Sequence, residues 1–214
     1  MTTITIGSNT YNLVAMPTAP APSDIELGFN DATAVNPSPF TRQEQVQQWP
    51  GGDFWDATIT LPPMTRALAW PWEGFLAELR GRSGVFQLGD PRAKHPLGSG
   101  LGVPVINTST GPNLPMTNAL VTRGWRPSTA RILVRGDQFQ VGYRLYRVCE
   151  DASSDSGGNA TLTIWPSIRE TPADGAALST SAPRGLFRLQ QNRRTIQSSL
   201  TRLTTLSLPC VEAR

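Results

Sequence analysis

Short runs of alternating apolar and polar residues recur along the chain, separated by glycine and proline. Residues 3–14 alternate on both sides of a Gly-Ser-Asn turn, which predicts a hairpin. Residues 54–61 alternate most clearly, because Trp55 and Ile59 share one face with the other apolar residues of the run. Similar runs continue to residues 185–189 and beyond. The pattern therefore predicts a mainly β protein.

One segment follows a helical period instead. Its apolar residues fall at spacings of four, seven, eight and eleven from the first, and they are Leu68, Trp72, Phe75, Leu76 and Leu79. Thr65 can cap the start, and Gly81 can end the helix in a left-handed conformation. Pro71 is either the first helical residue or the site of a kink. The sequence predicts one helix over about residues 65–80, covering one face of a sheet.

The run over residues 40–48 is polar on both faces. A Trp-Pro-Gly-Gly-Asp segment joins it to residues 54–61, which predicts a hairpin between the two runs. Burying such a strand in a core would leave polar groups without partners. It is therefore a solvated edge strand or loop, or a strand whose second face meets a water-filled channel or a neighbouring subunit. In the second case the lumen or the subunit seam would be lined by Arg42, Glu44, Gln45 and Gln47.

The pattern divides the chain into three parts. Residues 1–89 and 185–214 are predicted to form a β-sandwich core with the helix. Residues 90–128 carry few apolar pairs, which predicts an extended loop or arm that is mobile or wraps a partner. A short strand pair around 103–106 and 120–122 is the alternative. Residues 129–184 show several short strands at regular spacing, which predicts a small inserted β-barrel.

Composition and residue types narrow the function classes. The net charge is +3, but the arginines are scattered and Lys94 is the single lysine, so the basic run expected for sequence-specific DNA binding is missing. No apolar stretch approaches the length of a membrane span, and no signal peptide is visible. With one histidine, His95, and two cysteines, Cys149 and Cys210, the chain lacks ligands for a structural zinc site. We expect no metal, no cofactor and no catalytic residues.

Two tryptophans are candidates for exposure. Trp49 and Trp125 are flanked by proline or glycine, whereas Trp55, Trp72 and Trp165 lie in amphipathic runs that are typical of core packing. Exposed aromatic residues would suit an interface or a sugar-stacking surface.

Several motifs resemble tail proteins of long-tailed bacteriophages. The first is Trp-Asp-Ala-Thr-Ile-Thr-Leu-Pro-Pro-Met-Thr-Arg at residues 55–66, followed by the helix and by Leu-Gly-Asp-Pro at 88–91. The others lie at residues 136–148, 160–166 and 183–189. The family identified is the distal tail protein of the baseplate, and the resemblance covers most of residues 50–210.

The resemblance implies a β-sandwich flanked by a helix, assembled as a six-membered ring at the virion tail tip after synthesis in the cytoplasm of the bacterial host. Its partners would be identical copies, the tail tube protein, the baseplate hub and the tape-measure protein, with DNA passing transiently through the lumen. Many relatives carry a carbohydrate-binding module, for which residues 129–184 are the candidate here. Alternatives are a receptor- or glycan-binding module at the tail tip, another tail layer (hub, tube or neck), and a cell-wall hydrolase.

Overall fold

The structure is a computed structural model that describes residues 2–111, 113–193, 195–198 and 203–214. Its elements, in chain order, are β1 (Thr2–Ile6), β2 (Asn9–Leu13), β3 (Asp24–Asn30), β4 (Thr33–Pro37), β5 (Glu44–Gln48), β6 (Phe54–Thr60), α1 (Arg66–Glu78), β7 (Gly84–Leu88), β8 (Gly102–Ile106), β9 (Ala119–Trp125), β10 (Gln138–Val141), β11 (Arg144–Val148), β12 (Ala160–Trp165), β13 (Leu178–Ser179), β14 (Gly185–Leu189), β15 (Gln197–Ser198), β16 (Thr204–Thr205) and β17 (Ser207–Glu212). The predicted fold class is confirmed: a mainly β protein with a β-sandwich-like core, one helix and a barrel-like insert.

The core is a seven-stranded sheet in the order β1-β2-β7-β14-β17-β6-β3. All of its pairings are antiparallel except that of β2 with β7. The alternation of residues 54–61 is confirmed, because Trp55, Ala57, Ile59 and Leu61 are all buried in the main hydrophobic cluster. The first and last parts of the chain meet in this sheet, since β14 and β17 lie between β7 and β6.

Helix α1 covers one face of the sheet, as predicted. Trp72 and Phe75 are buried, and the ring centroids of Phe75 and the strand residue Phe86 lie 5.5 Å apart. Burying each of these large side chains stabilises the fold by roughly 1.5–3 kcal/mol. Pro71 lies inside the helix rather than at its start. The helix ends where Arg80 takes a positive φ of 47°, followed by Gly81. Among the described residues, no helix is long and apolar enough to cross a membrane.

The insert is a second, six-stranded sheet in the order β13-β10-β11-β12-β9-β8. A bridge between Val105 and Ala177 brings its two edges together, so the sheet is nearly closed. The prediction of an extended loop or arm over 90–128 is wrong in part, because β8 and β9 from this segment belong to the barrel. Its strands therefore begin well before residue 129. The strand-pair alternative describes these residues correctly.

The predicted hairpin between residues 40–48 and 54–61 is also wrong. Strand β5 pairs with β4, and β6 pairs with β3. The two pairs follow one another along the chain, so β3–β4 and β5–β6 are the two sides of one long hairpin whose tip lies between Pro37 and Glu44. Residues 49–53 do not form its turn; they are an irregular segment on one side of it.

Candidate assembly interface

The outer half of this hairpin projects from the core as a two-stranded ribbon, residues 33–48. Every residue of β5 is exposed, although Val35 and Val46 form a direct cross-strand pair. A two-stranded hairpin is only marginally stable alone in water. A ribbon of this kind therefore gains stability when another surface covers it.

The two faces of the ribbon differ in chemistry, because side chains alternate along each strand. One face carries Thr33, Val35, Pro37, Glu44, Val46 and Gln48, of which Val35 is 51% and Val46 is 63% exposed. The opposite face carries Asn36, Gln45 and Gln47 together with Ala34. The ribbon thus has one face with an apolar centre, polar residues at its base and one carboxylate near the tip, which we call the apolar face. The opposite face is polar and carries no formal charge.

The tip of the ribbon presents a large apolar side chain. Ser38 organises the turn, since its Oγ accepts hydrogen bonds from the backbone N–H groups of Phe40 at 3.4 Å and Thr41 at 3.3 Å. Arg42 takes a positive φ of 55° there. Phe40 is 94% exposed, the largest exposed fraction among the large hydrophobic residues described.

The structure brings the four predicted seam or lumen residues together on this ribbon. Arg42, Glu44, Gln45 and Gln47 are all exposed, but Glu44 lies on a different face from Gln45 and Gln47. Whether they line a lumen or a seam stays a prediction.

The exposure predictions for the two tryptophans have opposite outcomes. Trp49, at the base of the ribbon, is 47% exposed, as predicted. Trp125 is only 3% exposed, so its prediction is wrong. Its indole Nε1 donates to Thr122 Oγ1 at 2.8 Å inside the barrel. The preceding Gly124 has a positive φ, and a Cβ at that position would lie 2.4 Å from the Val103 carbonyl oxygen. The glycine therefore serves a close strand approach inside the sheet.

The base of the ribbon is held by residues 165–169 of the insert, which we call the clamp. On one side, Trp165 Nε1 donates to Asp31 Oδ1 at 2.7 Å. The Trp165 ring also contacts Phe29 and Trp55, with both centroid distances at 4.7 Å. The clamp thus contacts the strand that leads into the ribbon.

The clamp also holds the strand that returns from the ribbon. Ser167 Oγ donates to Asp53 Oδ1 at 2.7 Å and accepts from the Gly51 N–H at 3.0 Å. The Ser167 N–H donates to Asp53 Oδ2, and Arg169 Nη1 donates to the Gly51 carbonyl at 2.6 Å. Because Ser167 and Asp53 are buried, this irregular segment has its polar groups satisfied by the insert.

A buried charge network extends from the clamp into the core sheet. Arg169 lies 3.6 Å from Asp53 and 3.4 Å from Glu212, and Arg144 lies 3.7 Å from Glu212 and pairs with Glu170. Burial raises the pKa of Glu212, against the opposing attraction of Arg169 and Arg144. Burial acts to lower the pKa of Arg144, but the hydrogen bond and charge of Glu170 outweigh it and raise that pKa. These ion pairs join the insert to the core.

The residues that bear on catalysis or metal binding lie apart from this site. His95 is exposed on the segment before β8, and Cys210 is buried in the main core. In the part of the chain that the structure describes, no group of three His, Cys, Asp or Glu side chains is placed to hold a metal ion.

A scan of the chain against protein-family models finds no match, and a search of curated proteins finds none either.

Proposed function

We propose that the protein is a structural component of the tail of a long-tailed phage, forming a ring that joins the tail tube to the baseplate hub. The proposal is supported most by the ribbon, an exposed β-hairpin with an apolar face and an aromatic tip on a clamped base. Such an element is typical of a chain that completes its fold against another subunit.

The chemistry of the ribbon fits a ring of identical copies. Its polar face, with Gln45 and Gln47, can border a water-filled lumen, while its apolar face meets a neighbour. Stable interfaces bury about 1,600 Å² in total, and association costs offset much of the apolar gain from each one. In a closed ring every copy has two neighbours, so moderate contacts become jointly stable. The proposed partners are identical copies, the tail tube, hub and tape-measure proteins, and transiently DNA; no enzymatic role is proposed.

Native mass spectrometry and electron microscopy of the purified protein test the ring. We expect a closed oligomer with a central opening, six copies being the number that the resemblance implies. Proteomic analysis of purified virions of the encoding phage should find the chain in the tail fraction. A protein that stays monomeric at millimolar concentration and is absent from virions would refute the proposal.

A further inference from the structure

An apolar groove of about 530 Å³ lies on the core at the end of β3 that is remote from the ribbon. Its lining includes Val14, Met16, Pro17, Ile25, Leu88 and Pro183. Grooves of roughly 300–1,000 Å³ enclose drug-sized ligands, so this one has room for an aromatic side chain with adjoining residues.

The rim of the groove is basic. Asp90, Lys94 and Arg184 are its charged lining residues. Asp90 is buried and already forms a two-pronged ion pair with Arg92, at 3.0 and 2.9 Å. Lys94 and Arg184 are exposed, so the charge that the groove presents to a partner is positive.

The ribbon has the complementary chemistry. Phe40 at the tip is an exposed apolar side chain, and Val35 and Val46 are paired on one face of the strands behind it. Glu44, the single acidic residue between positions 33 and 48, lies on that same face near the tip. Glu44 gives this face a carboxylate that matches the basic rim of the groove, whereas Arg42, the one cation of residues 33–48, lies in the tip turn.

The placement of the two surfaces requires a second molecule. Ile25 of the groove lies near the start of β3, whereas the ribbon continues from its end at Asn30, about 17 Å away at 3.3 Å per residue. The clamp fixes the base of the ribbon, and the 94% exposure of Phe40 means that its own groove does not receive it. The ribbon and the groove thus lie at opposite ends of β3. A contact between the ribbon of one copy and the groove of the next is a head-to-tail contact, which closes a ring when the rotation between copies allows it.

We propose that Phe40 of each copy inserts into the groove of the next copy, with Glu44 facing Lys94 on its rim. This inference rests on the proposed function and gives it a specific interface. The clamp limits the motion of the ribbon before contact, which lowers the entropy cost of docking.

Two experiments test the contact. In a Cys149→Ser background, Thr41→Cys protein, which keeps Phe40, should form a disulfide-linked dimer with Met16→Cys protein on mild oxidation, whereas a mixture with Thr161→Cys, on an exposed barrel position, should not. In sedimentation, Phe40→Ala should raise the dissociation constant at least about 30-fold, as for a central interface residue. Val103→Ala, which also trims an exposed apolar side chain, should leave it unchanged.

Charge reversal gives an independent measurement. Glu44→Lys and Lys94→Glu should each weaken assembly, and the double variant should recover most of the loss. Wild-type oligomers that tolerate Phe40→Ala, give no selective cross-link and show no charge recovery would overturn the docking inference while leaving the ring proposal intact. A wild-type protein that stays monomeric would overturn both.

Discussion

Arg169→Met tests the energetic role of the clamp most directly, because it removes a buried charge and keeps an apolar stem. The Arg169 side chain is 8% exposed and faces two carboxylates that are also buried, Asp53 and Glu212. Removing one partner of a buried ion pair costs about 3–5 kcal/mol, a large part of the ~5–15 kcal/mol typical of whole domains. At about 2–4 °C per kcal/mol for a chain of this size, Tm should fall by roughly 6–20 °C.

The loss should depend on pH. Burial already raises the pKa of Glu212 while Arg169 opposes that shift, so removing Arg169 should raise this pKa further. Folded Arg169→Met protein then binds a proton more readily than the unfolded chain does. Its stability deficit should be largest above the raised pKa and should shrink as the pH falls towards the ordinary value of a glutamate.

Urea denaturation followed by tryptophan fluorescence at about pH 8 and about pH 5 measures both effects. Arg126→Met, at an exposed arginine, is the matched control. Adding Glu212→Gln to Arg169→Met should recover part of the loss, since it removes a carboxylate left with fewer cations. An Arg169→Met deficit below about 1 kcal/mol, equal at both pH values, would show that the ion pairs do not hold the insert to the core.

Three further predictions concern other parts of the fold. Ser167→Ala should destabilise the protein by about 1–3 kcal/mol in urea denaturation, because it leaves the Gly51 N–H without its acceptor, whereas Ser99→Ala at an exposed serine should be neutral. In a carboxyl NMR titration Asp174 should have a pKa of about 2, chiefly through its hydrogen bond with Arg123, and Arg123→Met should raise that pKa. The pair stabilises the fold above the ordinary aspartate pKa, and this contribution should disappear as the pH falls through about 2. Phe86→Ala should cost about 3–5 kcal/mol, since Phe86 is fully buried under the helix; a loss below 1 kcal/mol would contradict the helix-on-sheet packing.

Regular periodicity made parts of the fold predictable from sequence. Strand β6 and the helix each bury one face, and their apolar spacing reports that burial, except that Leu68 at the start of the predicted helical stripe is 43% exposed. The sequence predicts the wrong partner for β5, because Pro-Gly-Gly at 50–52 resembles a hairpin turn. In the structure those residues are an irregular segment whose Gly51 N–H and Asp53 carboxylate bind Ser167. A contact between residues more than a hundred positions apart leaves no local signal.

The barrel strands in 90–128 were obscured for a different reason. β8 contains Pro104 and a register shift between Gly102 and Val105, and β9 contains Gly124. These residues interrupt the alternation that marks a strand, although Gly102 and Gly124 here allow the two strands to approach closely. The buried charge network also has no local signal, because its members come from the irregular segment before β6, from β11, from β17, and from the clamp and the residue after it. Only a polar strand that no core could accept, residues 40–48, marked the candidate interface in advance.

The position of the clamp connects the insert to the proposed assembly. Residues 165–169 begin at the last residue of the barrel strand β12. Their side chains nevertheless bind both sides of the ribbon base, at Asp31 on one side and at Gly51 and Asp53 on the other. A free ribbon would lose conformational entropy on docking, and this cost would recur for every copy in a ring. Because the insert holds the base before any neighbour is present, the ordering is part of folding. In the proposed ring, the insert therefore directs the ribbon of its own chain towards the next copy, without itself having to contact that copy.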